Sequence, residues 1–413
     1  MFLIYQIIIS FVIIASPIII LIRLIKGKED PNRFLEKFFL VKKRRPKGNL
    51  IWFHCASVGE TMSVIPIIDY FAKNKKINNI LITTTTISSA KIIKNLGYQN
   101  LIHQFYPIDH HIITKKFINY WKPNIAIFLE GEIWPSMFFN LYKNNIPLIV
   151  LNTRLSQKSF KRWMFIKKFA KKVFSTIKFY YPQNNETEFF LKKLNIKKIK
   201  QIGNLKYIEY ERKEKNEFTK KRLNKLSKYK IWTAASTHPG EEYFAAKTHI
   251  LLKKKHKNLL TIIIPRHINK IKKIKHKLQN LNLNVITHSS KKINWIEPDI
   301  YLVDTFGESK NFYKISASVL LGKSIYHNGG QNPLEAARYG CNILHGPNVQ
   351  NFKDVYFKLH KLKISKKINS EIALKDNIKF KKNYSNTYKL KKIGNKIFKE
   401  TTKELNNHIK KCI

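Results

Sequence analysis

From about residue 50 the chain alternates two kinds of segment. Runs of consecutive apolar, often β-branched residues occupy 50–54, 80–84, 125–129 and 148–152. Longer stretches with helical spacing fall between them, as at 61–74 and 135–144. A run that is apolar on both faces suits a strand buried inside a parallel sheet, and its alternation with helices implies βαβ units. A lysine-rich, weakly patterned segment at 209–230 reads as a linker or an exposed helix. The alternation then restarts at 231–235 and continues with runs at 259–264, 301–303, 319–321 and 342–344. The pattern predicts two successive doubly wound, Rossmann-like α/β domains, 26–208 and 209–413, facing a cleft. Ligands of such sheets bind beyond the carboxyl ends of the strands, so candidate residues should follow these runs directly.

The amino terminus has a different pattern. Residues 2–22 are apolar apart from Gln6, Ser10 and Ser16, and carry no charge. That is about the 20 residues a helix needs to cross a bilayer. Pro17 is compatible with such a helix. Arg23, Lys26 and Lys28 follow, then Lys42-Lys43-Arg44-Arg45. The positive-inside rule then predicts a single-pass anchor over 1–25 with the rest of the chain cytoplasmic. A cleaved signal peptide fits less well, because a basic leading segment and a small-residue cleavage site are both missing.

Charged groups do follow the apolar runs. His54-Cys55-Ala56-Ser57-Val58-Gly59-Glu60 places Glu60 in the first turn of a helix, where the helix dipole alone would suit it. Glu130-Gly131-Glu132-Ile133-Trp134-Pro135 puts two carboxylates at the end of a strand that reads as fully buried. A carboxylate in a partly dry site has its pKa raised and can act as a general base. Later come Gly203-Asn204-Leu205-Lys206, then Ser236-Thr237-His238-Pro239-Gly240-Glu241, then Pro265-Arg266-His267. An arginine at a strand end can grip a phosphate through two hydrogen bonds. Between 304 and 352 the glycine-bearing loops carry Asp304-Thr305-Phe306-Gly307-Glu308 and Gly329-Gly330-Gln331-Asn332-Pro333-Leu334-Glu335. Asn332 is expected to cap a helix that starts at Pro333, with Glu335 in its first turn. Asp109-His110-His111 reads as a loop rather than a metal site.

Composition narrows the function classes. The 413 residues are 44% hydrophobic and 13% aromatic, which fits a globular protein with real cores. Cys55, Cys341 and Cys412 are far apart, form no metal-ligand spacing and fit a reducing compartment. The net charge of +52 is spread along the chain and not gathered into one patch. Lys, Ile and Asn rise together, as biased codon usage would produce. A basic membrane-tethered nucleic-acid binder remains an alternative, but no named nucleic-acid motif supports it and no nucleic-acid partner is expected. The chain has no Asp-x-Asp motif, so no metal holding a nucleotide diphosphate is expected. It also lacks a Gly-x-x-x-x-Gly-Lys phosphate loop and a Gly-x-Ser-x-Gly elbow.

In order, these motifs resemble one family, the 3-deoxy-D-manno-octulosonic acid (Kdo) transferases of lipid A assembly. The resemblance rests on Ser57-Val58-Gly59-Glu60, Glu130-Gly131-Glu132-Ile133-Trp134-Pro135, Asn152-Thr153-Arg154-Leu155-Ser156 and the later motifs quoted above, and runs to about Asp354. It implies a GT-B type glycosyltransferase that inverts configuration, needs no metal or other cofactor, and uses CMP-Kdo as donor. The implied acceptor is the lipid A precursor, lipid IVA, at the inner membrane, with membrane lipids as further partners. By resemblance Glu60 is the general base, and Glu130 and Lys206 stabilise the transition state. Pro265, Arg266, Phe306, Gly307, Glu308, Asn332, Pro333, Leu334 and Glu335 form the CMP site. Another GT-B enzyme using a UDP-sugar is the alternative. The chain departs from the family pattern at Gly131 (usually Thr), Thr153 (usually Ala), Lys323 (usually Gly) and Gln331 (usually His).

Overall fold

The computed structural model describes residues 1–40, 43–210, 218–290 and 295–413. Lys42 of the basic run, and 211–217 of the expected linker, lie outside the described residues. The chain divides into two compact units. Unit 1 comprises Met1–Tyr210 and Ile393–Ile413; unit 2 comprises Glu211–Lys392. The sequence pattern assigns everything after 208 to the second domain. The last segment instead belongs to the first, because the helix Tyr384–Ile409 buries Ile397 and Leu405 there and brings Gly394 against Tyr207. A Cβ on Gly394 would stand 2.4 Å from the Tyr207 carbonyl oxygen.

Unit 1 is a six-stranded, all-parallel sheet. Its strands are β1 (Leu50–Cys55), β2 (Asn79–Thr84), β3 (Leu101–Phe105), β4 (Ile125–Leu129), β5 (Leu148–Thr153) and β6 (Phe179–Pro182), in the order β3-β2-β1-β4-β5-β6. That is the doubly wound Rossmann order. β1, β2, β4 and β5 are buried along their whole length, which is why they read as unbroken apolar runs. β3 and β6 are the sheet edges. Gln104 and His103 in β3, and the tyrosines of β6, obscure them in the sequence. Aromatic side chains dominate the core, with Trp52 packed between Phe117 and Phe128 at 5.0 and 5.1 Å.

Unit 2 is a seven-stranded parallel sheet. It contains β7 (Lys230–Thr237), β8 (Leu259–Pro265), β9 (Val285–Thr287), β10 (Ile300–Leu302), β11 (Ser318–Leu321), β12 (Asn342–His345) and β13 (Ser365–Lys367), ordered β13-β12-β11-β7-β8-β10-β9. Its core is more aliphatic, built around Trp232, Phe244, Ile263, Leu302 and Leu320. The edge strands β9 and β13 have three residues each and are only partly buried, β13 being Ser365-Lys366-Lys367 with both lysines exposed, so neither shows as an apolar run.

The amino-terminal apolar segment is one helix, Phe2–Ile25, with Pro17 inside it. Proline removes the N–H that would bond the carbonyl four residues back. The Ser16 hydroxyl donates to that Ile13 oxygen at 2.6 Å and satisfies it. Asp109 and His110 lie in the loop expected, and His111 opens the helix that follows it. His110 caps the helix His111–Trp121, and Asp109 is buried, accepting the Ser136 and Met137 N–H groups at 2.9 and 2.8 Å.

Candidate active site

In unit 1 three adjacent strands deliver the candidate groups. β1 ends at Cys55, and Ser57 caps the helix Val58–Ala72, its Oγ accepting the Glu60 N–H. The Glu60 carboxylate folds back in a capping-box arrangement. One oxygen accepts the Ala56 N–H at 2.8 Å and the other accepts the Ser57 hydroxyl at 2.9 Å. Those bonds favour the ionised form. Burial, reinforced by the charges of Glu130 and Glu132, outweighs them and pushes the carboxyl up from 4.5 to about 7. Burial is also the main cause that raises Glu132, with the charge of Glu130 adding to it. The buried Cys55 thiol beside these carboxylates is pushed well up, chiefly by burial.

Glu130 follows β4 with φ 55°, and Asn152 sits in a β5 bulge, also at φ 55°. The left-handed region costs an L-residue roughly 1–2 kcal/mol, least for Asn, so it persists where surrounding bonds hold it. Here the Asn152 amide does so, its Oδ1 accepting the Leu205 N–H at 3.0 Å while its Nδ2 donates to Glu130 at 3.4 Å. That anchors the turn carrying Lys206, whose Nζ pairs with Glu130 at 2.6 Å. The expected Glu60, Glu130 and Lys206 therefore come together. The sequence reading assigned no role to Asn152, although an asparagine ending a buried strand is a residue type suited to positive φ. Gly131 is also explained locally, since a Cβ there would lie 2.8 Å from the Arg154 carbonyl oxygen.

In unit 2 the strand ends have the same character. Ser236 forms a bulge in β7 at φ 54°, and Lys323 follows β11 at φ 56°. Between them lies Glu241, the first residue of the helix Glu241–Lys253 and fully buried. Its carboxylate accepts four backbone N–H groups: His238 at 2.9 Å, Lys323 at 2.7 Å, Ser324 at 2.9 Å and Ile325 at 3.0 Å. Gly322 makes the approach possible, because a Cβ there would meet the Ser236 oxygen at 2.3 Å and Glu241 at 2.7 Å. Glu241 fixes the loop that leads through Gly330, whose N–H bonds the Lys323 oxygen at 2.9 Å, toward Asn332. Sequence alone assigns Glu241 no role. Its signal was Pro-Gly-Glu directly after a buried strand.

The expected nucleotide residues divide. Pro265 ends β8, and Arg266 is exposed, its N–H bonded to the Thr237 oxygen. Phe306 is 72% exposed and Gly307 has open space around it. The Glu308 carboxylate is engaged by His288, which also meets the Tyr301 hydroxyl at 2.8 Å. The helix expected from Pro333 begins at Leu334 and is five residues long, with Glu335 in its first turn. Asn332 still accepts the Leu334 N–H, at 3.1 Å. No cluster of three or more His, Cys, Asp or Glu able to hold a metal occurs among the described residues.

Comparison with known proteins decides the family. The sequence model of "3-Deoxy-D-manno-octulosonic-acid transferase (kdotransferase)" matches residues 32–209. A 3-deoxy-D-manno-octulosonic acid transferase of Rickettsia bellii is 34% identical, covering 82% of this chain and 80% of its own. The chain belongs to the Kdo transferase family. A probable mitochondrial Kdo transferase of Arabidopsis thaliana is 33% identical over 80% of this chain and 76% of its own. The solved UDP-GlcNAc 2-epimerase of Neisseria meningitidis shares the fold, with a TM-score of 0.55 at 11% identity over 88% of this chain and 100% of that one. This Kdo transferase is thus a glycosyltransferase with two Rossmann-like units of GT-B type.

Proposed function

We propose that the chain transfers Kdo from CMP-Kdo to the lipid A precursor, with inversion and without a metal, at the cytoplasmic face of the inner membrane. The observation that carries this reading is the Glu60 carboxyl, held at about 7 beside the Glu130–Lys206 pair. A base of that strength is substantially ionised at neutral pH yet still takes a proton readily. In the proposed step Glu60 accepts the proton of an acceptor hydroxyl. The hydroxyl oxygen forms a bond to the anomeric carbon of Kdo on the face opposite the nucleotide. The bond from that carbon to the phosphate oxygen breaks, and its electron pair leaves with CMP. Positive charge builds on the sugar ring, and Glu130 opposes it, with Lys206 fixing where Glu130 stands. Arg266 and the backbone around Asn332–Glu335 receive the phosphate of CMP.

The test is to incubate membranes containing the full chain with CMP-Kdo and the tetra-acylated precursor, then weigh the lipid by mass spectrometry. A lipid heavier by one or more Kdo residues, with matching CMP release, is expected. Inhibition by added CMP but not UDP, and persistence in EDTA, are also expected. An unmodified lipid, or competition by UDP alone, rejects the donor assignment.

A further inference from the structure

The amino-terminal helix is long and apolar enough to cross a bilayer, but its attachments do not suit a crossing. One stripe of it faces unit 1 throughout its length. Near its start, Phe2 packs on Phe139 at 4.8 Å, and the Tyr5 hydroxyl donates to Asp109 at 2.6 Å. The Gln6 amide donates to Ser136 at 2.7 Å and accepts the His111 N–H at 3.1 Å. Along the same stripe, Ser16 and Ile20 are buried. At the far end Arg23 pairs with Glu29 at 2.6 Å, and Lys37 pairs with the same oxygen at 2.6 Å. The Lys37 carbonyl accepts the Ile108 N–H at 2.8 Å. Both ends of the helix are thus tied to neighbouring residues, Asp109 and Ile108.

Tyr5 and Arg23 stand about 27 Å apart along the helix, nearly the thickness of a hydrocarbon core of about 30 Å. A crossing helix would put those two residues at opposite faces of the membrane. The same folded unit, with its buried Asp109 and its Glu29 ion pairs, cannot be at both. Nor is this a core helix. Leu3, Phe11, Ile14, Ile18, Leu21 and Ile25 are 59–79% exposed on the opposite side.

We propose that this helix lies in the plane of an anionic membrane leaflet, its outer face in the acyl boundary, and does not span the bilayer. Charge points to lipid as the occupant of that face. Beside Tyr5, Phe169 packs against Trp163 of the helix Gln157–Phe165. That helix carries Lys158, Lys161 and Arg162 and leaves Phe165 89% exposed. An exposed apolar face bordered by cations and an exposed aromatic suits the surface of an acidic leaflet, where the basic side chains meet anionic headgroups. The inference does not depend on the reaction catalysed.

Two experiments test it on the full chain. A protease-cleavable tag ahead of Met1 should be protected in intact spheroplasts and cut only after permeabilisation. Cutting in intact spheroplasts overturns the proposal, because the terminus has then crossed. Purified protein should float with phosphatidylglycerol-containing vesicles. The triple variant Phe11→Asp, Ile14→Asp, Ile18→Asp should partition about tenfold less while melting at the parent temperature, since these side chains face away from unit 1. Unchanged partitioning overturns the proposal. So does a stable dimer, dependent on the same three residues, that ignores vesicles.

Discussion

Glu60 and Glu241 occupy comparable places. Each stands in the first turn of the helix that follows the first strand of its unit. Each is buried and hydrogen-bonded, yet their surroundings differ in kind. Glu241 has four backbone N–H donors on its carboxylate. Glu60 has one backbone donor and one hydroxyl, with two further carboxylates near enough to raise it. A carboxylate saturated with fixed donors holds structure, whereas one short of donors among like charges is left ready to take a proton. Position on the fold does not separate the two roles; the number of donors does.

The contrast breaks most visibly in activity. Glu60→Ala should lower turnover by roughly 10²–10⁴-fold, the range of a general base, with the fold intact by circular dichroism. An unaltered rate removes Glu60 from the chemistry. Glu241→Gln is expected to act on stability instead. An amide nitrogen would then face backbone N–H groups, and about 3 kcal/mol should be lost in denaturant unfolding. If unit 2 melts unchanged, the four-donor cradle is not what holds the loop.

A pH series sharpens the same comparison. The folded Glu60 carboxyl holds its proton more tightly than an ordinary glutamate at 4.5. It therefore favours the folded state at low pH, and that contribution is lost as pH rises through about 7. The shift corresponds to roughly 3 kcal/mol at most. Glu60→Gln removes the titration, so the stability difference between about pH 5 and about pH 8 should shrink by up to about that amount. An equal narrowing in Glu241→Gln would erase the distinction. The smallest effect expected is at Lys323, which holds φ 56°. Lys323→Gly should relieve that strain and raise stability by about 0.5 kcal/mol, net of the entropy glycine adds to the unfolded chain.

The central strands were legible because parallel strands covered on both faces must be continuously apolar. β1, β4, β5, β7, β8 and β11 fall within a residue or two of the runs that announce them. The edge strands were not, since each is only partly buried and need not be continuously apolar. Glu60, Glu130 and Lys206 were visible as charges placed after buried runs. Asn152 and Glu241 were missed for a physical reason. Their work is to bond backbone groups far along the chain, at 205 and at 323–325, and sequence does not show which N–H groups will lack partners. Glu308 shows the reverse case, for a suitably placed carboxylate turned out to be engaged by His288.

The return of the final helix to unit 1 bears on the order in which the protein takes shape. Unit 2 is one continuous stretch, complete once Lys392 has been made, but unit 1 waits for Ile393–Ile413. Until then Tyr181 lacks Glu404 and His408, Lys200 lacks its ion-pair partner Glu404, and Asn124 lacks the Cys412 carbonyl. During synthesis the half that begins first is therefore finished last. A chain cut before Ile393 would keep the whole second unit and leave the first one open, with the amino-terminal helix carried by an unfinished unit.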